Sequence, residues 1–438
     1  MKSMLHQSAL ILGLCLCFSV HAQAVPDIQT AQLKNGLKIL LVEAHNVPMV
    51  SMQLSIPAGG RFDAASKAGT ANILAAMLSD HTAKHNDTAW AEWLDSEAIR
   101  LGAAASRDSL SLSLTTIKEG FPAGLDAFSE ALLEPGWDKK RFHILLEDSI
   151  ASAIKGEEEP GTQAANATAA LLYPSHPYGH RAGGTAQSLK HITLSDIQTL
   201  YKQQVKPVGS VLAVSGDITM QELLTLLQPR LKAWHGKPRI AALDIAAPAI
   251  ITGKSKHITL PTTQTLVQFS RLGIARSDNH FFPLFVLNHM LGGGGFGSKL
   301  MEEVREKRGL VYGVYSYFMP LAAPGPFVIT LQTRAGQAKQ AQDVVRHVMQ
   351  DMADGQMDEK ALNASKNNLI GSFAQRMDSN RERVGLLAMI GFYRMPLDYL
   401  QNWTTKVQSV TLAQVQHLAR IYLQPEAWNI VQVGPSKE

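Results

Sequence analysis

Thr193–Pro207 (TLSDIQTLYKQQVKP) and Thr411–Pro425 (TLAQVQHLARIYLQP) are two versions of one segment, a constant 218 residues apart. Thr193, Leu194, Gln198, Leu200 and Pro207 match Thr411, Leu412, Gln416, Leu418 and Pro425, and Gly216 matches Gly434 at the same offset. Farther upstream, Ala75–Leu78 (AAML) aligns with Asn288–Leu291 (NHML) at an offset of 213, so a few insertions separate the copies. Solenoid repeats run to roughly 20–50 residues; a period this long is a duplicated domain. Whatever the first half folds into, the second half has to fold into as well. At 438 residues the chain is long enough for two sizeable cores. The boundary falls in 236–254, rich in Pro, Ala and Gly and without strong periodicity. That divides the chain into 25–235 and 255–438, after a leader at 1–24.

Local pattern gives each half the same alternation of strands and helices. Ala31–Ile56 reads as strands around an Asn-Gly turn, and Ser109–Thr116 (SLSLSLTT) alternates strictly, as a half-buried strand does. Gly69–Asp80 reads as an apolar helix, Thr88–Leu101 as an amphipathic one, and Glu119–Leu133, Lys139–Ile154 and Thr193–Gln204 as further helices. Ser210–Ser215 is a strand. The expectation is an α+β protein of two homologous domains. Each is a mostly antiparallel sheet packed with helices, and the two form a clam-like pair with a cleft between them, where binding sites favour domain interfaces.

Composition removes several function classes. Net charge is only +4, with 18% charged and 45% hydrophobic residues, so nothing suggests a nucleic-acid partner. Met1–Ala24 has the plan of a secretory signal: Lys2, an apolar centre Ala9–Val20 and the small-residue site Ala22-Gln23-Ala24. The apolar run is shorter than the roughly 20 residues that span a bilayer. Leu14 and Leu16 stand before Cys15 and Cys17 where a lipid attachment site wants small residues. Both cysteines leave with this segment, which excludes disulfides and thiolate metal sites from the mature chain. The expectation is an exported, periplasmic protein with no later membrane span.

The stretch richest in chemistry is Asn288–Phe318 (NHMLGGGGFGSKLMEEVREKRGLVYGVYSYF). An apolar helix (His280–Leu291) runs into four glycines, a charged helical segment that stops at Gly309, and a strand, Leu310–Phe318. Gly292, Gly294 and Gly297 spell GxGxxG, but a helix precedes them where a dinucleotide fingerprint needs a strand. A phosphate loop is excluded too, because the order here is Gly297-Ser298-Lys299. Strict alternation would put Leu310, Tyr312, Val314 and Phe318 on one face. Arg305 lies seven positions before Tyr312, and a guanidinium and a phenol brought together across that turn can grip a peptide carbonyl. Taken alone, Arg305 also reads as a solvated helix residue beside a Glu303–Lys307 pair.

The order and spacing of GGRFDAASKAGTANILAAML, LGAAASRDSLSLSLTT, HPYGHRAGGTAQSLKHIT, LPTTQTLVQF and LGGGGFGSKLMEEVREKRGLVYGVYS resemble the M16 (pitrilysin/insulinase) family of zinc peptidases across essentially the whole mature chain. Active members carry His-x-x-Glu-His on the helix that corresponds to Gly69–Asp80. Histidines at i and i+4 share a face and bind zinc, and the glutamate serves as general base. Here the histidine positions hold Asn72 and Ala76, the base position holds Ala75, and the third-ligand position falls at Ser152 or Ala153. Alanine neither ligates a metal nor abstracts a proton, so no metal is expected at these positions. His81 and His85, and His176 and His180, are each four apart but lie in polar or loop-like stretches. His289 reads as a packed histidine.

Arg305 and Tyr312 keep the spacing of the family's Arg-x6-Tyr pair, which holds the peptide and assists the polarised carbonyl. Gly292, Gly293, Gly294, Gly295 and Phe296 are expected on the same substrate-holding surface. The resemblance implies a zinc-less subunit that lends this pair to a partner carrying His-x-x-Glu-His, with zinc in the partner and none in this chain. Endoproteolysis of exported peptides would then be the task of the pair. Two alternatives stay open: a non-enzymatic structural or peptide-binding protein on the same fold, and a self-sufficient zinc peptidase with displaced ligands.

Overall fold

The computed structural model describes residues 26–436; the leader with Cys15 and Cys17 lies outside the described residues. The first half supplies β1 (Gln29–Gln32), β2 (Lys38–Glu43), β3 (Met49–Ile56), α1 (Thr70–Asp80), α2 (Asp87–Ser96), β4 (Arg100–Ala105) and β5 (Leu110–Ile117). There follow α3 (Phe121–Leu133), α4 (Lys139–Glu157), α5 (Pro160–Leu172), α6 (Leu194–Gln204), β6 (Val211–Gly216) and α7 (Met220–Arg230). The second half supplies β7 (Ser255–Thr259), β8 (Gln264–Leu272), α8 (Phe281–Asn288), β9 (Val311–Phe318) and β10 (Pro326–Arg334). It closes with α9 (Ala338–Ala353), α10 (Glu359–Gly371), α11 (Asn380–Phe392), α12 (Tyr399–Gln408), α13 (Leu412–Tyr422) and β11 (Asn429–Gly434).

The strands form two sheets, ordered β1-β2-β6-β3-β5-β4 and β7-β11-β8-β10-β9. Apart from β1, the second repeats the first position by position. In each, the strand nearest the half's C-terminus pairs parallel with the half's early strand, β6 with β2 and β11 with β7, and the other pairings are antiparallel. The α6/α13 and β6/β11 counterparts carry the 218-residue offset seen in the sequence. Thr193 and Thr411 both cap their helices through the hydroxyl, each in a reciprocal capping box.

The reading of Thr88–Leu101 as one helix needs correction. Helix α2 ends at Ser96, because Ala98 turns left-handed (φ 51°), and Arg100–Ala105 extends as edge strand β4. Tertiary pairing with β5 overrides the alanine-rich composition of this segment.

The halves are interlocked by a reciprocal exchange of helices. Helix α11 of the second half lies across β6, β3 and β2 of the first sheet, while α5 of the first half lies across β11 and β8 of the second. Leu40, Val42, Val211 and Ala213 on the first sheet therefore belong to the second half's core, and Ala164 and Ala167 of α5 pack on Val431 and Val433. Gly391 permits the close approach of α11, since a Cβ there would fall 2.4 Å from Val211 Cγ1. Polar contacts fix both helices: Asn380 Nδ2 donates to the Met49 carbonyl (3.2 Å), and Gln268 Nε2 donates to Thr168 Oγ1 (2.8 Å).

A buried carboxylate ties the exchange together. Asp108, fully buried in the β4–β5 turn, accepts from Tyr178 Oη (2.5 Å), Tyr393 Oη (2.9 Å) and the Ala322 amide (2.9 Å). Arg61 approaches it at 3.5 Å and donates to the carbonyls of Asp244, Ala241 and Ala242 (2.9, 3.1 and 2.6 Å). Groups from both halves and from the connecting segment thus converge on one charge. Burial and the carboxylate push both phenols above their ordinary range, so they remain donors. Removing one partner of a buried ion pair costs roughly 3–5 kcal/mol. Asp108→Ala is expected to lower the thermal unfolding midpoint by several degrees, read by circular dichroism; an unchanged midpoint contradicts the role given to this charge.

Candidate functional site

Helix α1 retains the scaffold of a metal-binding helix without donors. Asp63 caps its first turn, accepting the Gly69 and Ala71 amides at 2.8 and 3.0 Å. Asn72 and Ala76 are half-buried, and Ala75 is buried at 2% exposure. Of the two third-ligand positions on α4, Ala153 is buried and Ser152 exposed. An amide and three methyl groups cannot replace two imidazoles and two carboxylates, so these positions do not fit a zinc ion.

The displaced histidines are committed elsewhere. His81 Nδ1 meets Asp80 Oδ2 (2.9 Å), and His85 Nδ1 meets Glu130 Oε1 (2.8 Å). His176 Nε2 donates to the Ala246 carbonyl (2.9 Å), while its Nδ1 accepts the Tyr178 amide (3.1 Å). His289 packs beside Gly294 with Nε2 donating to Asn368 Oδ1 (3.1 Å), but its buried Nδ1 has no partner, so it is packed without being fully satisfied. Among the described residues, no three His, Cys, Asp or Glu side chains converge to hold a metal.

Arg305 and Tyr312 are brought together. After Asn288, α8 widens into a π-helical turn (His289–Gly293), and a second π-helical turn, Met301–Glu306, carries Arg305. Gly292 is buried under β9, where a Cβ would fall 2.7 Å from the Ser316 amide nitrogen, so its part is packing; Gly295 takes φ 59°. This lets Phe296 stand out at 66% exposure. The Arg305 guanidinium carbon lies 4.6 Å from the Phe296 ring centre and 5.2 Å from that of Tyr312. Stacking on two π faces leaves the N–H edge of the guanidinium available.

The other cations of this segment are neutralised. Lys307 pairs with Glu302 and Glu303 (both 2.7 Å), Arg308 with Glu303 (2.7 Å) and Lys299 with Glu302 (3.1 Å).

The face assignment of β9 needs correction. Leu331 pairs with Val314 and Thr333 with Val311, so Gln332 stands opposite both Tyr312 and Gly313. This bulge adds a residue and resets the alternation. Val311, Val314 and Ser316 turn inward, and Tyr312, Tyr315 and Tyr317 turn outward at 89%, 49% and 41% exposure. Tyr312 is therefore not on the face of Val314. The sequence reading missed Tyr315 and Tyr317; their spacing in VYGVYSYF was the available signal, but the bulge was not readable.

Cross-strand pairs share a face. Gln268, bonded to α5, pairs with Thr330, which pairs with Tyr315. The tyrosines thus stand on the same face as α5, on the part of the sheet that α5 leaves open. A groove of about 720 Å³ runs there, lined by Tyr312, Tyr315, Thr330, Gln332, Arg334 and Leu266.

Burial alone would raise the Glu303 carboxyl, but the hydrogen bonds from Lys307 and Arg308 outweigh it and hold its pKa at about 2. Because the folded value lies below the ordinary 4.5, this stabilisation is complete above pH 4.5 and is lost as pH falls toward 2. The melting temperature of Glu303→Gln should trail the wild type at pH 7 and converge with it near pH 2. A gap that does not change with pH would overturn this assignment.

Comparison with known proteins agrees with these losses. Residues 38–156 match the model of insulinase (peptidase family M16), and residues 191–369 match that of the peptidase M16 inactive domain. A crystal structure of a peptidase M16 inactive domain from Pseudomonas fluorescens is similar at 32% identity and a TM-score of 0.89, over 94% of this chain and 98% of that one. A non-peptidase homolog, YmxG, from Helicobacter pylori is 23% identical over 94% of both chains. A protein named as mitochondrial-processing peptidase subunit beta, from Arabidopsis thaliana, is 21% identical over 95% of this chain and 80% of its own length. With the duplicated fold intact and the metal donors replaced, the chain belongs to the M16 peptidase family as a non-catalytic member.

Proposed function

We propose that this chain is the zinc-less subunit of a two-subunit M16 peptidase, exported to the periplasm, and that it lends Arg305 and Tyr312 to the zinc site of a partner carrying His-x-x-Glu-His. The observation that carries this reading is the stack itself. Phe296, Arg305 and Tyr312 are presented outward, while the chain's own α1 offers no donor for them to act beside. A relative named as one subunit of a processing peptidase supports the paired arrangement.

In this scheme the partner's metal supplies the hydrolytic chemistry. The residues of this chain bind and orient. The open N–H edge of Arg305 holds a backbone carbonyl of an extended peptide, and the Tyr312 hydroxyl donates to the oxygen on which charge develops. Gly293, Gly294 and Gly295 bring backbone close to the peptide, and the aromatic faces exclude water from it. In this reading the mature chain acts in the periplasm; no helix among the described residues is long and apolar enough to cross a membrane.

Mixed with a zinc-bearing partner from the same organism, the chain should raise cleavage of small unfolded peptides. Arg305→Ala and Tyr312→Phe should each lower that rate by about a hundredfold, with unchanged melting temperatures; undiminished rates would sink the assignment. Metal analysis of the purified single chain should give zinc well below one ion per chain, whereas a stoichiometric ion would restore the displaced-ligand reading. The groove alone also favours a second reading, a peptide-binding protein without hydrolysis, which predicts binding but no cleavage in any mixture.

A further inference from the structure

The tyrosine row on β9 runs between two cation-bearing segments. Arg305 stacks on Tyr312 at one end, and at the Tyr317 end the β4–β5 turn that carries Arg107 meets the β9–β10 loop through Asp108 and the Ala322 amide. Burial raises the Tyr317 phenol and the nearby Arg107 guanidinium lowers it again, and Arg107 acts on Tyr173 in the same sense. Tyr312 and Tyr317 stand opposite Gln332 and Val328, four residue steps apart on β10, so the row spans roughly 13 Å.

Arg107 is held ready and unspent. Its turn is rigid: the Ser106 amide donates to the Ser109 carbonyl (2.8 Å), and the Arg61 amide donates to the Arg107 carbonyl (3.0 Å). Its Nε is buried without a hydrogen-bond acceptor. The carboxylate next to it in sequence, Asp108, is already taken by Tyr178, Tyr393, the Ala322 amide and Arg61. The groove along Tyr312 and Tyr315 contains Arg334 and no carboxylate. A half-buried guanidinium with no ion pair among the described residues, at the end of a tyrosine row whose groove along Tyr312 and Tyr315 holds no acid, is complementary to an anion that arrives with the ligand.

We propose that Arg107 is the anchor for the free C-terminal carboxylate of an extended peptide laid along Tyr317, Tyr315 and Tyr312 toward Arg305. Packed and hydrogen-bonded chain occupies the Arg107 end of the row. Tyr178 is fully buried there, Tyr173 donates its hydroxyl to the Pro324 carbonyl (3.0 Å), and the Ala322–Ala323 backbone is bonded to Asp108 and Tyr178. A chain cannot run on past this junction, so the carboxylate it presents is terminal. The span admits about four residues between the carboxylate and the segment beside Arg305. This selects short peptides with free C-termini, or the last residues of longer ones, over internal loops. The inference rests on the peptide-holding reading of Arg305 and Tyr312, but it requires neither a partner nor cleavage.

The test is binding to the full mature chain, alone, measured by fluorescence anisotropy. The probes are an N-terminally labelled eight-residue peptide of alternating alanine and valine, its C-terminal amide, and an amide with an internal aspartate. The free acid should bind about tenfold tighter than the amide, and high salt should shrink the difference. Arg107→Gln should abolish the preference and leave the affinity for the amide unchanged, with an unaltered melting temperature as the check on folding. Arg305→Gln should weaken acid and amide alike. Equal binding of acid and amide, a preference that survives Arg107→Gln, no binding of any probe at millimolar concentration, or equal binding of the internal-aspartate amide would each overturn the proposal. A chain that keeps the acid preference yet never stimulates a zinc-bearing partner would overturn the two-subunit reading and leave this one standing.

Discussion

The arrangement depends on the Asp108 carboxylate being satisfied by groups that only the assembled chain can bring to it. An isolated charge in a protein interior is strongly disfavoured unless it is paired and fully hydrogen-bonded. Here the partners come from the β4–β5 turn's own half, the β9–β10 loop, the residue following α11 and, through Arg61, the connecting segment. None of these can move away without stranding Asp108 or Arg61. The junction therefore sets the relative position of the two sheets, and with it the place of the turn carrying Arg107 at the Tyr317 end of the tyrosine row.

The helix exchange serves the same end through the apolar core. A sheet with one face of Leu40, Val42, Val211 and Ala213 cannot leave it in water, and the helix that covers it comes from the other half. Leu40, Val42 and Val211 are each worth about 1.5–3 kcal/mol when buried. Together they oppose opening the pair as independent lobes. Exchange also explains why the open faces fall on the later hairpins: α5 and α11 cover the central strands and stop short of β9 and β10 and of β4 and β5.

Much of this was legible in the sequence, because it rests on local periodicity and on residue chemistry. The 218-residue repeat gives the matching sheets, the threonines at 193 and 411 give the helix starts, and Asn72, Ala75 and Ala76 give the loss of the metal site without reference to coordinates. What was not legible depends on pairing between distant strands. The left-handed Ala98 ends α2 because β4 has a partner in β5, and nothing in an alanine-rich stretch announces it. The bulge opposite Gln332 is a property of two strands, so period-two reasoning put Tyr312 with Val314 and overlooked Tyr315 and Tyr317. Periodicity likewise shows that a helix has an apolar stripe, but not which sheet the stripe covers.

The two halves have diverged in opposite senses. In the first, the open hairpin presents Ser111, Ser113, Gly102 and Ala104, and the neighbouring helix has small residues where metal ligands would stand. These substitutions are consistent with folding alone, since alanine is the best helix former and a methyl group needs no partner. In the second, folding explains nothing about the outward residues. Phe296 at 66% exposure and Tyr312 at 89% bury little surface, and the π-helical turns that present Arg305 are rarer than a continuous α-helix. Stacking of Arg305 on these rings returns only about 0.5–1 kcal/mol each at an exposed site. A strand seeking stability would end its outer row in polar side chains. This one carries three tyrosines, one of them stacked on a guanidinium, a composition that packing within this chain does not account for.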